Sequence, residues 1–166
     1  MDRLPINILK RMSNFVHNFR ELNVYKLSKQ LSLDIFDLTK SFPKEETYSL
    51  TDQIRRSSRS VGAQIAEAWG KRRYERHFIS KLTDADAEQL ETQHWLETAR
   101  DCGYLSNEET QNLLKQYQSV GRMLGSMMAK SNMFCAQDLK SIREPDLAHH
   151  FETSNSNPAN DITDYR

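Results

Sequence analysis

Between Gln53 and Lys81 the chain carries eight Lys or Arg residues against two acids, Glu67 and Glu75, a local balance of +6. From Leu82 to Asp101 the sign reverses: Asp84, Asp86, Glu88, Glu91, Glu97 and Asp101 face Arg100 alone, a balance of −5. The formal charge of the whole chain is zero, so the neutral total conceals a dipolar molecule. Arg55, Arg56, Arg59, Lys71, Arg72, Arg73 and Arg76 are the residues that would do chemistry here, by holding phosphates. Arginine dominates the set, and its planar fork of donors matches phosphate better than an ammonium does. Trp69 and Tyr74 lie among them, and aromatic rings stack on unpaired bases. Two blander outcomes compete. A charge run on a helix is ordinarily a solvated face, and a basic segment beside an acidic one can pair with it, within the chain or across a subunit boundary. Exposed pairs are worth only about 0–1 kcal/mol each, so they would set register more than stability. A net charge of zero also argues against a strong non-specific DNA binder.

Other reactive spacings are weaker. Glu91-Thr-Gln-His94 is a Glu-x-x-His, the spacing used by carboxylate-bridged metal bundles. Such a centre needs a second copy and two more inward carboxylates. The chain has no second copy, and Gln89 and Thr92 hold the positions from which ligands would project. No metal is expected. His77, beside the basic cluster, reads as a polar contact, and His149-His150 falls near the C-terminus. No glycine-rich phosphate loop, nucleophile elbow or acid–base pair appears, so neither an enzyme nor a cofactor is expected. Cys102 and Cys135 lack CxxC or CxxH spacing, which argues against zinc or a disulfide framework and fits a reducing compartment. No apolar run approaches the ~20 residues of a membrane span. The N-terminus lacks the continuous apolar stretch of a secretory signal. A cytoplasmic protein with no membrane partner is expected.

The elements that must position these residues are helices. Val24, Leu27, Leu31, Ile35, Leu38 and Phe42 recur at three- and four-residue steps, with Pro43 ending the run. Leu50, Ile54, Ser57, Val61, Ile65 and Ala68 repeat the pattern, with Gly70 read as the stop. Phe78, Leu82, Ala85, Gln89, Thr92, Leu96 and Ala99 form the third stripe, and Gly103 suits a left-handed cap after it. The fourth helix, about Asn107 to Lys130, stripes Leu113, Tyr117, Val120, Leu124 and Met127, and Gly121 and Gly125 would allow a close approach to a neighbour. Four such stripes with short connections predict an all-α, antiparallel up-down four-helix bundle. The buried Gln89 and Thr92 are expected to fix helix register through hydrogen bonds.

The bundle is expected over 18–131. Residues 1–17 read as an N-terminal extension whose loose amphipathic pattern suits a short helix. Residues 132–166 read as a C-terminal tail, disordered from about 154, where "SNSNPANDITDYR" is polar and nearly core-free. A second packing face is also expected. Gly62, Ala63 and Ala66 leave the back of the second helix nearly bare, and Tyr25, Leu33 and Phe36 of the first helix fall outside its core stripe. These six residues are the expected interface of a self-assembling bundle.

The stretch "LTDQIRRSSRSVGAQIAEAWGKRRYERHFISKL" followed by "ETQHWLETARDCGYL" resembles the bacterial four-helix-bundle family encoded in intervening sequences of 23S ribosomal RNA genes. "HNFRELNVYKLS", "FPKEE" and "GRMLGSMM" are similar to that family's opening helix, first turn and last helix, so the resemblance spans about Asn18 to Met128 in order. It departs at Gln64, Ile65, Ala66, Glu67 and Ala68, where many members read Asn-Ile-Ala-Glu-Gly. The resemblance implies a bundle that assembles with itself, as a ring of five in relatives, and a start near His17 that makes Met1 to Phe15 either an extension or the product of a start assigned too far upstream. The accessory variability protein of diversity-generating retroelements is distantly similar, which implies RNA or DNA and a nucleic-acid-processing protein as partners. The combined expectation is a non-enzymatic, oligomeric scaffold or adaptor that binds nucleic acid. The alternative is a protein–protein assembly module whose cations pair with acids of the third helix.

Overall fold

The computed structural model describes residues 16–135. Among these described residues four α-helices follow in chain order: α1 Asn23–Leu38, α2 Leu50–Lys71, α3 Glu75–Asp101 and α4 Asn107–Ala129. Each packs on two neighbours, α1 on α2, α2 on α3, α3 on α4, and α4 back on α1. Cross-helix contacts run in opposite chain order. Arg55 meets Thr39 while Gly62 lies against Ser28. Lys81 reaches Gln64 while Thr92 reaches Ser57. Thr83 touches Met128 while Gln89 lies under Gly121. The molecule is therefore the antiparallel bundle that the four stripes predict.

Most of the expected stripe residues form the core. Leu31, Ile35, Ile54, Val61, Phe78, Leu82, Leu96, Tyr117, Val120 and Leu124 are fully enclosed. Burying an aliphatic side chain of this size contributes about 1.5–3 kcal/mol, which is what holds helices of modest intrinsic propensity in place. Phe42 also reaches the core, but not from a helix. α1 ends at Leu38, a 3-10 turn covers Thr39–Ser41, and the extended backbone at Phe42 turns its ring toward Tyr104, 5.5 Å away.

Two helix ends differ in mechanism. After α3, Gly103 takes φ +77°, Tyr104 N–H donates to the Ala99 carbonyl and Gly103 N–H to that of Arg100. This is the left-handed cap expected from the sequence. α2 does not stop at Gly70. It continues to Lys71, and the turn closes by Tyr74 N–H donating to the Lys71 carbonyl and by Arg72 Nη1 capping the Trp69 carbonyl at 2.7 Å. A charged side chain on the last carbonyls replaces the glycine cap there. At the start of α4, Ser106 and Glu109 cap each other's backbone, fixing the α3–α4 connection.

The polar core is partly as expected. Thr92 and Ser57 hydroxyl oxygens lie 2.9 Å apart and tie α3 to α2. Gln89 does not cross helices: its amide donates to Asp86 and accepts from Gln93, both on α3. Packing also continues past the expected bundle limit at 131. Ser131–Met133 form a 3-10 turn, Ser131 Oγ donates to Glu75 at 2.6 Å, and Phe134 stacks on Phe78 with ring centroids 5.7 Å apart. The bundle thus takes in the first residues assigned to the 132–166 tail. Residues 1–15, with the expected short helix, and 136–166, with the expected disorder, lie outside the described residues.

Candidate nucleic-acid interface

α2, the turn after it and the first turn of α3 carry the seven predicted cations, in two groups. Arg55, Arg56 and Arg59 sit on the N-terminal half of α2; Lys71, Arg72, Arg73 and Arg76 surround the α2–α3 corner. Arg59 and Lys71 are twelve residues apart, about 18 Å along a helix axis. The groups are separate surfaces joined by one helix.

At the corner, Lys71, Arg73 and Arg76 are exposed and Arg72 is half-buried. Arg72 lies 4.2 Å over the Trp69 ring and Arg73 lies 5.7 Å from the centroid of Tyr74. Tyr74 is 57% exposed, and its ring centroid lies 5.5 Å from that of His77. Cations and aromatic faces thus occur together, the pairing that grips a phosphate and stacks the adjacent base.

The two acids of the basic stretch are both engaged elsewhere. Glu67 pairs with Lys81 at 3.1 Å, and Glu75 accepts from Ser131. Lys81 also holds Asp84 at 3.1 Å, and the two carboxylates push its ammonium above the ordinary lysine range. Lys81 is the cation of the stretch that forms an ion pair with the acidic run among the described residues. None of the other seven forms an ion pair among the described residues. The acids of α3 have their own neighbours: Asp86 takes the Gln89 amide, Glu91 the Trp95 indole N–H at 3.0 Å, and Asp101 the Arg100 guanidinium at 2.8 Å. Glu88 is partly enclosed, and burial together with Glu91 and Asp84 raises its carboxyl above the usual range despite Arg56 nearby.

The N-terminal group is built differently. Arg55 is half-buried; its Nε donates to Thr39 Oγ1 at 2.7 Å and Nη2 reaches the Phe36 carbonyl at 3.5 Å. It closes the C-terminal end of α1, where cations are favoured by the helix dipole. Its first role is structural. Arg56 donates to Gln53 at 2.7 Å, and Arg59 lies 5.7 Å from the Phe36 ring centroid.

The six residues expected at a subunit interface divide as well. Gly62 lies against Ser28 and Tyr25, with a hypothetical Cβ only 3.6 Å and 3.7 Å from their atoms, so these two positions serve the α1–α2 contact within one chain. Tyr25 also packs edge-on against Phe19 at 4.8 Å. Phe36 bears three cations on its ring: Lys40, Arg55 and Arg59. Leu33 is 49% exposed, Ala63 exposed and Ala66 half-buried. Thr39, Thr47 and Thr51, which border the arginines, had no sequence signal beyond lying in or near the α1–α2 connection. His94 is exposed with its ring tilted against that of Trp95, 4.7 Å away, and Glu91 turns its carboxylate to that indole, so this Glu-x-x-His is on the outside of the bundle.

Residues 20–126 match the model of the 23S rRNA-intervening sequence proteins. The chain belongs to that family. The match takes in both basic groups and the α2–α3 corner. A similar solved structure is a protein of unknown function from the S23 ribosomal protein family of Bacteroides thetaiotaomicron, 29% identical with a TM-score of 0.58. That likeness covers 64% of this chain and 95% of the other. No curated protein matches. Among the described residues of this 23S rRNA-intervening sequence protein, no helix is long and apolar enough to cross a membrane.

Proposed function

We propose that this family member is a non-enzymatic, cytoplasmic scaffold that assembles with itself and binds RNA or DNA through the cations of α2 and the α2–α3 corner. The supporting observation is that Glu67 and Glu75 are occupied by Lys81 and Ser131, which leaves seven cations without a carboxylate partner among the described residues. Desolvated or paired cations would have little to offer a phosphate. Exposed ones release counterions when they bind it. Self-assembly, in a ring of five as the family resemblance implies, would repeat the corner on every subunit and multiply its effective concentration along one strand. A nucleic-acid-processing protein is a further partner of the same adaptor role.

The test pairs two measurements on one variant. Lys71, Arg72 and Arg73 are replaced together by Gln, and both single-stranded RNA binding and native mass are recorded. The reading expects binding to be lost and mass unchanged. A wild-type chain that never retains RNA, with a variant whose oligomer falls apart, supports instead the protein–protein assembly module.

A further inference from the structure

An open groove of about 440 Å³ runs along the outer face of α2 beside the α1–α2 connection. Its lining includes Thr47, Thr51, Arg55, Arg56, Arg59 and Ser60, with Asp52 as the single carboxylate. Three guanidinium groups in one groove repel one another, and Asp52 in the lining, with Glu88 of α3 acting on Arg56, does not balance them. Arg55 and Arg59 also share the Phe36 ring of α1 with Lys40, the three standing 4.9, 5.7 and 4.7 Å from its centroid. Lys40 is relieved by Asp37 at 2.6 Å. Arg59 makes neither a hydrogen bond nor an ion pair among the described residues; its contact is the ring.

The same contacts hold these groups in place. Arg55 is fixed by Thr39 and the Phe36 carbonyl, Arg56 by Gln53, and Arg59 rests on an aromatic face. A guanidinium already held in one geometry gives up less freedom on binding than a free lysine would. Like charges gathered and left short of carboxylate are what an incoming dianion or phosphodiester would relieve.

We propose that this groove is a phosphate-binding seat, distinct from the α2–α3 corner, in which Arg56 and Arg59 grip the phosphate oxygens and Arg55 holds the wall. The phosphate is that of a nucleic-acid backbone, in which case the seat rests on the nucleic-acid reading above, or of a small phosphate compound.

The experiment uses the full chain and two probes, a fluorescent single-stranded RNA and inorganic phosphate. Arg56→Gln with Arg59→Gln leaves Arg55 and the helix packing untouched, and thermal unfolding checks that. Losing one phosphate contact is expected to weaken RNA binding several-fold and to reduce the salt slope by about 0.7. Inorganic phosphate is expected to shift the Nε–H resonances of Arg56 and Arg59. If the double variant binds RNA as the wild type does while corner variants lose it, and phosphate moves neither resonance, the seat is overturned and the nucleic-acid reading stands. If the wild type ignores RNA but phosphate moves both resonances, the seat stands for small phosphates and the nucleic-acid reading fails. No response to either probe overturns both.

Discussion

Glu88 and Tyr117 show what single side chains contribute. Burial and the neighbouring Glu91 raise the Glu88 carboxyl above its ordinary 4.5, with Asp84 adding to them and Arg56 opposing. The folded state therefore holds that proton more tightly than the unfolded chain does. Its contribution is full below the unfolded pKa and is lost as pH rises through the folded one. Glu88→Gln removes this dependence, so its urea midpoint relative to wild type is expected to improve between pH 4 and pH 7; a difference constant with pH would contradict it. Tyr117 is fully enclosed, and its hydroxyl lies near Thr92, whose own hydroxyl is already tied to Ser57 and the Glu88 carbonyl, without a well-formed hydrogen bond among the described residues. Burial pushes the phenol far above its usual titration range. An unsatisfied buried polar group costs about 1–3 kcal/mol, so Tyr117→Phe is expected to unfold at the same or higher urea than wild type. A large loss of stability would mean that the hydroxyl is satisfied after all. Neither group's environment was legible in the sequence, where Tyr117 reads only as a core position and Glu88 as one acid of a run.

At the scale of elements, the four stripes were legible because period-3.6 apolar spacing is a local property that packing merely uses. What was not legible depends on partners distant in the chain. Arg55 reads as an outward cation until Thr39 and Phe36, sixteen and nineteen residues earlier, are brought beside it. Gly62 reads as a bare surface until Tyr25 and Ser28 cover it. The glycines of α4 give a direct test of such context. A Cβ at Gly125 would meet nothing within 4 Å, whereas one at Gly121 would come 3.1 Å from the Gln89 amide. Gly in a helix interior costs about 0.5–1 kcal/mol relative to Ala. Gly125→Ala is expected to gain roughly that much by equilibrium denaturation, and Gly121→Ala to gain less or to lose stability, because Asp86 holds Gln89 where the new methyl must go. Equal gains at both sites would show that α3 and α4 yield freely.

At the scale of the molecule, a neutral chain keeps its charges apart. The basic stretch and the acidic helix adjoin at the α2–α3 corner, yet Lys81 alone of the eight cations forms an ion pair among the described residues. The spacing of the sequence already separates the cations into two groups; what it does not show is that Arg55 and Arg72 are half-buried, since Thr39, Phe36 and Trp69 decide that. The central claim is that these groups are open to phosphate. It is tested most directly by the affinity of the full chain for single-stranded RNA as salt rises from about 50 to 200 mM, a range over which phosphate contacts lose most of their strength. At about −0.7 per phosphate neutralised, three or more contacts predict a log–log slope of about −2 or steeper. A flat slope, or no binding at the lowest salt, would contradict the account.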